Sequence, residues 1–480
     1  MNEALVHGLE LVRSACAQLR AHTERADQAA TLDSIRRMLG EMIARESVLP
    51  AIEIAVAQRL LAVLGEPGRA AADYGEAAAT VRAYVRALPA AASAEARRRL
   101  DVLATVEHAF ARVADRAVSA ELGRNEIESK PEDQPVADVG ALRRFLAGTQ
   151  PGEQGVEIIE VRQVARGMSK RTVLVKLRGN RTLPDVVALR IDRKAEDNYL
   201  GTTVIDEYPV LRHLWKHGAP IPQPHALEPT GTVLGDPFIV FSAVGGAPVG
   251  GNYTAPPRNP ALMADIAARL AQIHAVPTAG FPAGPAAAAS SESEHHIDRE
   301  IERCLGDWRA LDVANPAMEL AFRWVREHQR HGRGPPCVVH NDYNFNNILV
   351  EDGHVSAVLD WEFVHVGTAA ADIGYLYYSA EQVSSFEHFL AAYAGAGGAV
   401  PPAEQLKFYV FWGQLRLAVM AFQGARHLDE GRFHDIRFAI TRQHRRAALL
   451  RVTDQLAAVG WFDPSLAREL EQEFAGTIPG

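Results

Sequence analysis

The sequence predicts an α+β chain: an all-α N-terminal domain, then a small β-rich segment, then a larger helical segment interrupted by one hairpin. Three observations predict it. Residues 1 to about 126 carry apolar side chains at helical spacing and almost no alternating β pattern. Between 157 and 241, short runs rich in β-branched and aromatic residues alternate with turns. Helical periodicity returns after 262 and is broken at Cys337–Tyr378, where two short apolar runs flank Glu351-Asp352-Gly353-His354, a strong Asp-Gly hairpin signal.

Composition narrows the function classes. The 480 residues allow two or three domains. Hydrophobic residues make up 48% and charged residues 23%, the balance of a soluble globular chain. A net charge of −9 argues against a general nucleic-acid binder. Cys16, Cys304 and Cys337 form no metal-type spacing and suit a reduced cytoplasm. No basic region leads into an apolar core, and no run of ~18 apolar residues exists, so neither a signal peptide nor a membrane span is expected.

Taken in order, Leu5, Leu9, Val12, Cys16 and Leu19 recur at spacings of four and three, and Leu32, Ile35, Leu39 and Met42 repeat the stripe. Further helices are expected over Ile54–Leu64, Ala71–Leu88 and about Ser93–Leu122. These helices hold no catalytic cluster. They read as a bundle that packs on the rest of the chain or on a second copy of itself, as a homo-oligomer. Asn125–Asp138, charged and carrying two prolines, reads as a linker, and a helix over about Val139–Ala147 leads into the next domain.

Strands are expected at Glu157–Val164 and Thr172–Leu177, with a turn over 165–171 between them. A glycine turn of this kind can lay backbone N–H groups over phosphates. Gly167 would supply the turn, and Ser169, Lys170 and Arg171 could add donors; by itself the pattern also fits an ordinary hairpin. A third strand, Val186–Ile191, carries Arg190, and the helix over about Thr203–His217 carries Glu207. A charge at a strand centre costs too much to bury unpaired, so the two are expected to pair. Phe238–Phe241 is a further strand, running into Ser242-Ala243-Val244.

The larger segment opens on a helix over Leu262–Val276, whose His274 reads as a structural histidine. Pro277–His296 is a Pro/Ala/Gly/Ser-rich loop. Helices follow at about Ile297–Leu305 and Pro316–Gln329, and after the hairpin at Val383–Ala394, Ala403–Phe422, Arg432–Val459 and Pro464–Ala475. Phe408, Tyr409, Phe411, Trp412 and Phe422 read as core, with a substrate wall as the other reading. Arg437, Arg442, Arg445, Arg446 and Arg451 give one helix a basic face, either solvated or turned to an anionic acceptor.

The hairpin carries the chemistry. His340-Asn341-Asp342 follows Val338-Val339, Asn347 comes five residues after Asp342, and Asp360 ends the return strand. Phosphoryl transfer needs a base beside the attacking hydroxyl and oxygen ligands for Mg²⁺. The H-x-D-x-x-x-x-N spacing followed by a strand-end Asp is the arrangement of protein kinases. An ordinary polar hairpin is the bland reading.

The stretch from His340 to Asp372 resembles the aminoglycoside phosphotransferase family, whose members share the protein-kinase-like fold. Asn341 stands where protein kinases have Arg, Asp360-Trp361-Glu362 stands in place of Asp-Phe-Gly, and no Ala-Pro-Glu motif follows. These departures favour a small-molecule kinase over a protein kinase. The resemblance implies a bilobal kinase-like fold, with a small β-rich N-lobe at 151–245 and a large helical C-lobe at 246–480. Ahead of it stand an all-α helical domain at 1–126 and a linker with its lead-in helix at 127–150. It implies ATP, with GTP as the alternative, and Mg²⁺ as cofactors. Asp342 would be the base, and Asn347 and Asp360 the metal ligands. Arg190 would stand for the phosphate-pairing Lys, supported by Glu207. Backbone near Phe241 to Val244 would meet the purine. His340 and Asp372 would brace the catalytic loop, and Glu362 would be a further metal or substrate contact.

Three functions are therefore weighed: a metabolic kinase of a small hydroxylated substrate such as a hydroxy-acid or hydroxyacyl thioester, an antibiotic-inactivating phosphotransferase, and a non-catalytic kinase-fold binding module. An aminoglycoside pocket calls for clustered carboxylates, and the C-terminal region has no dense acidic cluster.

Overall fold

The computed structural model describes Arg13, Leu39 and residues 49–66, 73–89, 91–122, 138–149, 153–164, 170–192, 202–250, 256–282, 296–430 and 440–477. Apart from Arg13, Leu39 and Asp138, the two expected helices before residue 49, the linker and the glycine turn with Gly167 and Ser169 lie outside them, as do Arg437 and the Arg442 side chain.

The elements run in order α1 (Leu49–Val63), α2 (Tyr74–Ala87), α3 (Ala94–Leu122), α4 (Val139–Thr149), β1 (Glu157–Val164), β2 (Lys170–Arg178), β3 (Val186–Asp192), α5 (Val204–Lys216), β4 (Pro224–Glu228), β5 (Phe238–Ser242), β6 (Ala247–Pro248), α6 (Pro260–His274), α7 (His296–Ala310) and α8 (Pro316–His328). They continue as β7 (Cys337–Val339), β8 (Ile348–Glu351), β9 (His354–Val358), β10 (His365–Gly367), α9 (Ala370–Tyr375), α10 (Tyr377–Val383), α11 (Phe386–Gly395), α12 (Ala403–Asp429), α13 (Ile440–Ala458) and α14 (Pro464–Ala475). The expected helix over Val383–Ala394 is α11, which starts at Phe386, and α10 ends at Val383 just before it. Ser385 makes the break: its side chain accepts from the N–H of His388 and caps α11.

The chain divides into two compact units. One combines Met1–Lys130 with Asp298–Gln329 and Phe411–Gly480, the other Pro131–Ile297 with Arg330–Val410. The expected boundaries at 126 and 246 differ from this division, and packing supplies the reason. α3 buries Leu100, Leu103 and Val106, and it packs on α1, α8, α13 and α14. Its apolar stripe is completed by helices from far along the chain. Polar contacts follow the same pairing. Arg86 grips Glu319 through two hydrogen bonds of 2.9 and 2.7 Å, and the N–H of Asp463 donates to Thr105 Oγ1 at 2.9 Å. The aromatic residues of α12 are buried as core; Phe411 stacks on Trp324 with ring centroids 4.2 Å apart.

The second unit holds a five-stranded antiparallel sheet of order β1-β2-β3-β5-β4. β2 alternates, with Val173, Val175 and Leu177 inward, and α4 covers them with Leu142 and Leu146. Below the sheet lie two small antiparallel groups, β6-β8-β9 and β10-β7. The β8–β9 turn has Asp352 and Gly353 both at positive φ, 51° and 83°, as the Asp-Gly pair predicts. α6 packs on β7, β9 and α11.

Candidate active site

Strand β7 delivers His340, Asn341 and Asp342 to the head of the β8–β9 hairpin. Asn341 sits at φ 63°, a left-handed turn that redirects the chain. Asp372, at the start of α9, holds that turn: its Oδ2 accepts the His340 N–H at 2.8 Å and its Oδ1 accepts the Asn341 N–H at 2.6 Å. His274 Nε2 lies 3.0 Å from the same Asp372 Oδ2, and His274 Nδ1 lies 2.7 Å from the Tyr393 hydroxyl. Asp372 is fully buried. Burial works to raise its pKa, but the hydrogen bond and charge of His274, with the His340 side chain and backbone, outweigh it and hold the carboxyl below its ordinary value. His340 is turned the other way. Its Nε2 lies 2.8 Å from the Leu359 carbonyl, which fixes the proton there, so Nδ1 can accept the Asp342 N–H at 3.2 Å.

This clamp presents the Asp342 carboxylate. Asn347 Nδ2 donates to Asp342 Oδ2 at 2.8 Å and to its carbonyl at 3.0 Å. Asn344 Nδ2 donates to Asp342 Oδ1 at 2.9 Å. The amide nitrogen of Asn347 is spent on Asp342, so its amide oxygen is the atom it can offer a cation. The Leu359 N–H donates to the Asn347 carbonyl at 2.7 Å, which sets Asp360 beside Asn347 across the hairpin. An amide oxygen and a carboxylate at a strand end form an all-oxygen donor set suited to Mg²⁺.

Arg190 on β3 joins this group. Its Nε donates to Glu207 Oε2 at 2.9 Å and its Nη2 to Asp360 Oδ1 at 2.6 Å, with Glu362 Oε2 3.8 Å away. Burial works against its charge, but Glu207, Asp360 and Glu362 outweigh burial and raise its pKa further. Asp360 lies at φ 68°, the second left-handed non-glycine residue of the site.

Two expected positions stand differently. Lys170 is not in a turn: it begins β2, is 1% exposed, bonds the Thr202 carbonyl and lies 2.9 Å from Asp192. Asp192 in turn accepts the first N–H of α5, from Val204, at 3.1 Å. A buried, paired ammonium is committed to holding the helix that carries Glu207, so Lys170 is a positioning group here and not a phosphate donor. Arg171 is likewise engaged, 2.8 Å from Asp236. Phe241 lies inside the sheet, paired with Ala188 on one side and Pro224 on the other. The N–H of Ala243 is spent on the Val186 carbonyl at 3.1 Å, so backbone positions outside the sheet begin at Val244.

The reading from residues alone passed over Asn344 and gave His274 no role in the brace. Asn344 had a signal, an Asn two residues after the candidate base. The partnership of His274, Tyr393 and Asp372 spans residues more than 90 apart in sequence and had none.

Comparison with known proteins places these features. The family model described as "Phosphotransferase enzyme family" matches residues 160–409. A crystal structure of a candidate aminoglycoside phosphotransferase from Ralstonia eutropha JMP134 superposes with a TM-score of 0.53 at 19% identity, covering 67% of this chain and 98% of that one. That likeness is one of fold, and the fold is kinase-like. Among curated proteins, "Acyl-CoA dehydrogenase family member 11" of Gallus gallus is 25% identical over 50% of this chain and 30% of its own length. "Acyl-CoA dehydrogenase family member 10" of Mus musculus is 23% identical over 58% of this chain and 27% of its own. This chain therefore spans between 27% and 38% of the length of these curated relatives and others like them.

Proposed function

The chain belongs to the phosphotransferase enzyme family, which moves phosphate onto an alcohol oxygen, and from that premise we propose a nucleotide-dependent small-molecule kinase acting on a hydroxy-acid or a hydroxyacyl thioester. The observation that carries the reading is the convergence of Asp342, Asn347, Asp360 and Arg190 within linked hydrogen-bond distances in one unit.

Asp342 is the base. Its two oxygens are fixed by Asn344 and Asn347, so the carboxylate is oriented before the acceptor arrives. The acceptor hydroxyl gives its proton to Asp342 as the new O–P bond forms, and the P–O bond to the nucleoside diphosphate breaks. Asn347 and Asp360 would hold Mg²⁺, which supplies charge neutralisation on the nucleotide phosphates. Arg190, kept in place by Glu207, pairs with phosphate oxygens as a two-pronged donor. The backbone at Val244 meets the purine, of ATP or alternatively GTP.

The acceptor class is supported by the names of the curated relatives, which point to acyl-CoA chemistry. The missing acidic cluster in the C-terminal region argues against an aminoglycoside. The test is transfer of radiolabelled phosphate from ATP or GTP to a panel of hydroxy-acids, hydroxyacyl-CoA thioesters and antibiotics, with Asp342→Ala as control. Transfer to hydroxy-acids or hydroxyacyl thioesters, and not to antibiotics, is the expected result. Transfer to antibiotics alone replaces the acceptor assignment. Lack of any nucleotide-dependent rise in melting temperature with Mg²⁺ removes the kinase reading.

A further inference from the structure

The outer face of α5 borders a second concavity of about 640 Å³, in the size range of small-molecule sites. It is bounded by α5, β4, Thr149 at the end of α4 and Pro282 after α6. Its charge is one-sided. Arg212 and Lys216 carry it, His213 and His225 are the other ionisable lining residues, burial keeps His225 toward its neutral form, and none of the lining residues is acidic, in a chain whose net charge is −9. Arg212 and Lys216 are exposed, and among the described residues neither is ion-paired. They stand four residues apart on one helix, a like-charge spacing that works against the helix. Among the described residues no carboxylate pairs with either cation, and the one offset is the Tyr208 ring, 5.9 Å from Arg212 Cζ. Between them on the same face is Trp215, with an indole 43% exposed.

Two unpaired cations flanking an exposed indole suit an anion with a flat ring. Phosphate oxygens would satisfy Arg212 and Lys216, and a heterocycle would cover Trp215 by stacking. We propose that this groove is a second ligand site for a nucleotide or nucleotide-tailed cofactor, distinct from the site built on Asp342 and Asp360. The groove also reaches the candidate active site through two protein contacts. Glu207, which holds Arg190, lies on α5 itself, and His225 Nε2 lies 2.8 Å from Ser242 Oγ on β5, two residues before Val244. An occupied groove would therefore act as an effector site on Arg190. That coupling rests on the kinase reading, whereas binding in the groove does not.

The experiment uses the full chain in EDTA and titrates AMP, coenzyme A and inorganic phosphate while tryptophan fluorescence is followed. A saturable quench by AMP and coenzyme A is expected in the wild type and in Asp360→Ala. It should vanish in Trp215→Phe, and its Kd should rise at least tenfold in the R212A/K216A double variant, whose melting temperature should stay within a few degrees of the wild type. Inorganic phosphate should bind more weakly than AMP. The proposal is overturned if no probe gives a saturable quench, if the quench survives in Trp215→Phe, if the double variant binds as the wild type does, or if phosphate binds as tightly as AMP. Because the signal comes from Trp215 without Mg²⁺ or acceptor, a failed phosphate-transfer screen leaves it standing.

Discussion

Arg190 Nη2 lies 2.6 Å from Asp360 Oδ1 while the Nε of the same guanidinium holds Glu207 at 2.9 Å, so one side chain ties strand β3, helix α5 and the catalytic hairpin together. A lysine has a single point of attachment and cannot hold both carboxylates in this geometry. Arg190→Lys should weaken nucleotide binding by about tenfold, the loss of one charge-assisted hydrogen bond. Calorimetric titration of ATP and GTP with Mg²⁺ checks it. Unchanged affinity would remove Arg190 from the phosphate site.

Asp342→Ala should lower turnover by roughly 10²- to 10⁴-fold, the usual scale of general-base catalysis, with the melting temperature close to that of the wild type. Asn344→Ala should cost less, because Asn347 still fixes the other carboxylate oxygen. If the two variants lose activity equally, orientation and not proton transfer is the main role of Asp342.

Asp372→Asn should be strongly destabilising. The carboxylate is buried, meets His274 at 3.0 Å and accepts two backbone N–H groups. An amide cannot accept from all three, and a stranded buried group costs about 1–3 kcal/mol, more when a charge is involved. Urea unfolding should show a loss of at least ~2 kcal/mol. His274→Ala should show a comparable loss, and the double variant should fall short of the sum, because both substitutions break one linked set.

Glu107 in α3 is fully buried, accepts the Tyr74 hydroxyl at 3.0 and 3.2 Å, and is pushed by burial to a pKa of about 8. The folded chain therefore keeps a proton that the unfolded chain releases near its ordinary value. Stability is fullest below that ordinary value and falls as pH rises toward 8, by up to about 1.4 kcal/mol per pH unit from this group. The melting temperature should drop between pH 5 and 8, and Glu107→Gln should flatten the drop. An equally steep drop in the variant would assign the pH dependence to another group.

The β8–β9 hairpin was legible because its information is local. Asp352-Gly353 dictates the turn, the strands alternate, and Asp342, Asn347 and Asp360 follow at fixed short spacings. The pairing of Arg190 with Glu207 was legible for a different reason: a charge at the centre of a buried strand needs a partner. Lys170 misled because a turn residue and the first residue of a strand look alike in sequence, and its partner Asp192 sits where the chain next crosses β2. The partners of the helical unit were not legible for lack of range. An amphipathic stripe says that a helix needs a partner without saying which one, and α3 takes three of its four partners, α8, α13 and α14, from about 200 residues or more along the chain.

That last arrangement bears on how the protein is made. α3 leaves the ribosome about 200 residues ahead of α8 and more than 300 ahead of α13 and α14, three of the helices it packs on. During synthesis its apolar stripe waits exposed while a few hundred residues are added, which takes tens of seconds at about 5–20 residues per second. Lesions late in the reading frame, far from the catalytic hairpin, should appear as aggregation of the N-terminal helices before they appear as lost chemistry.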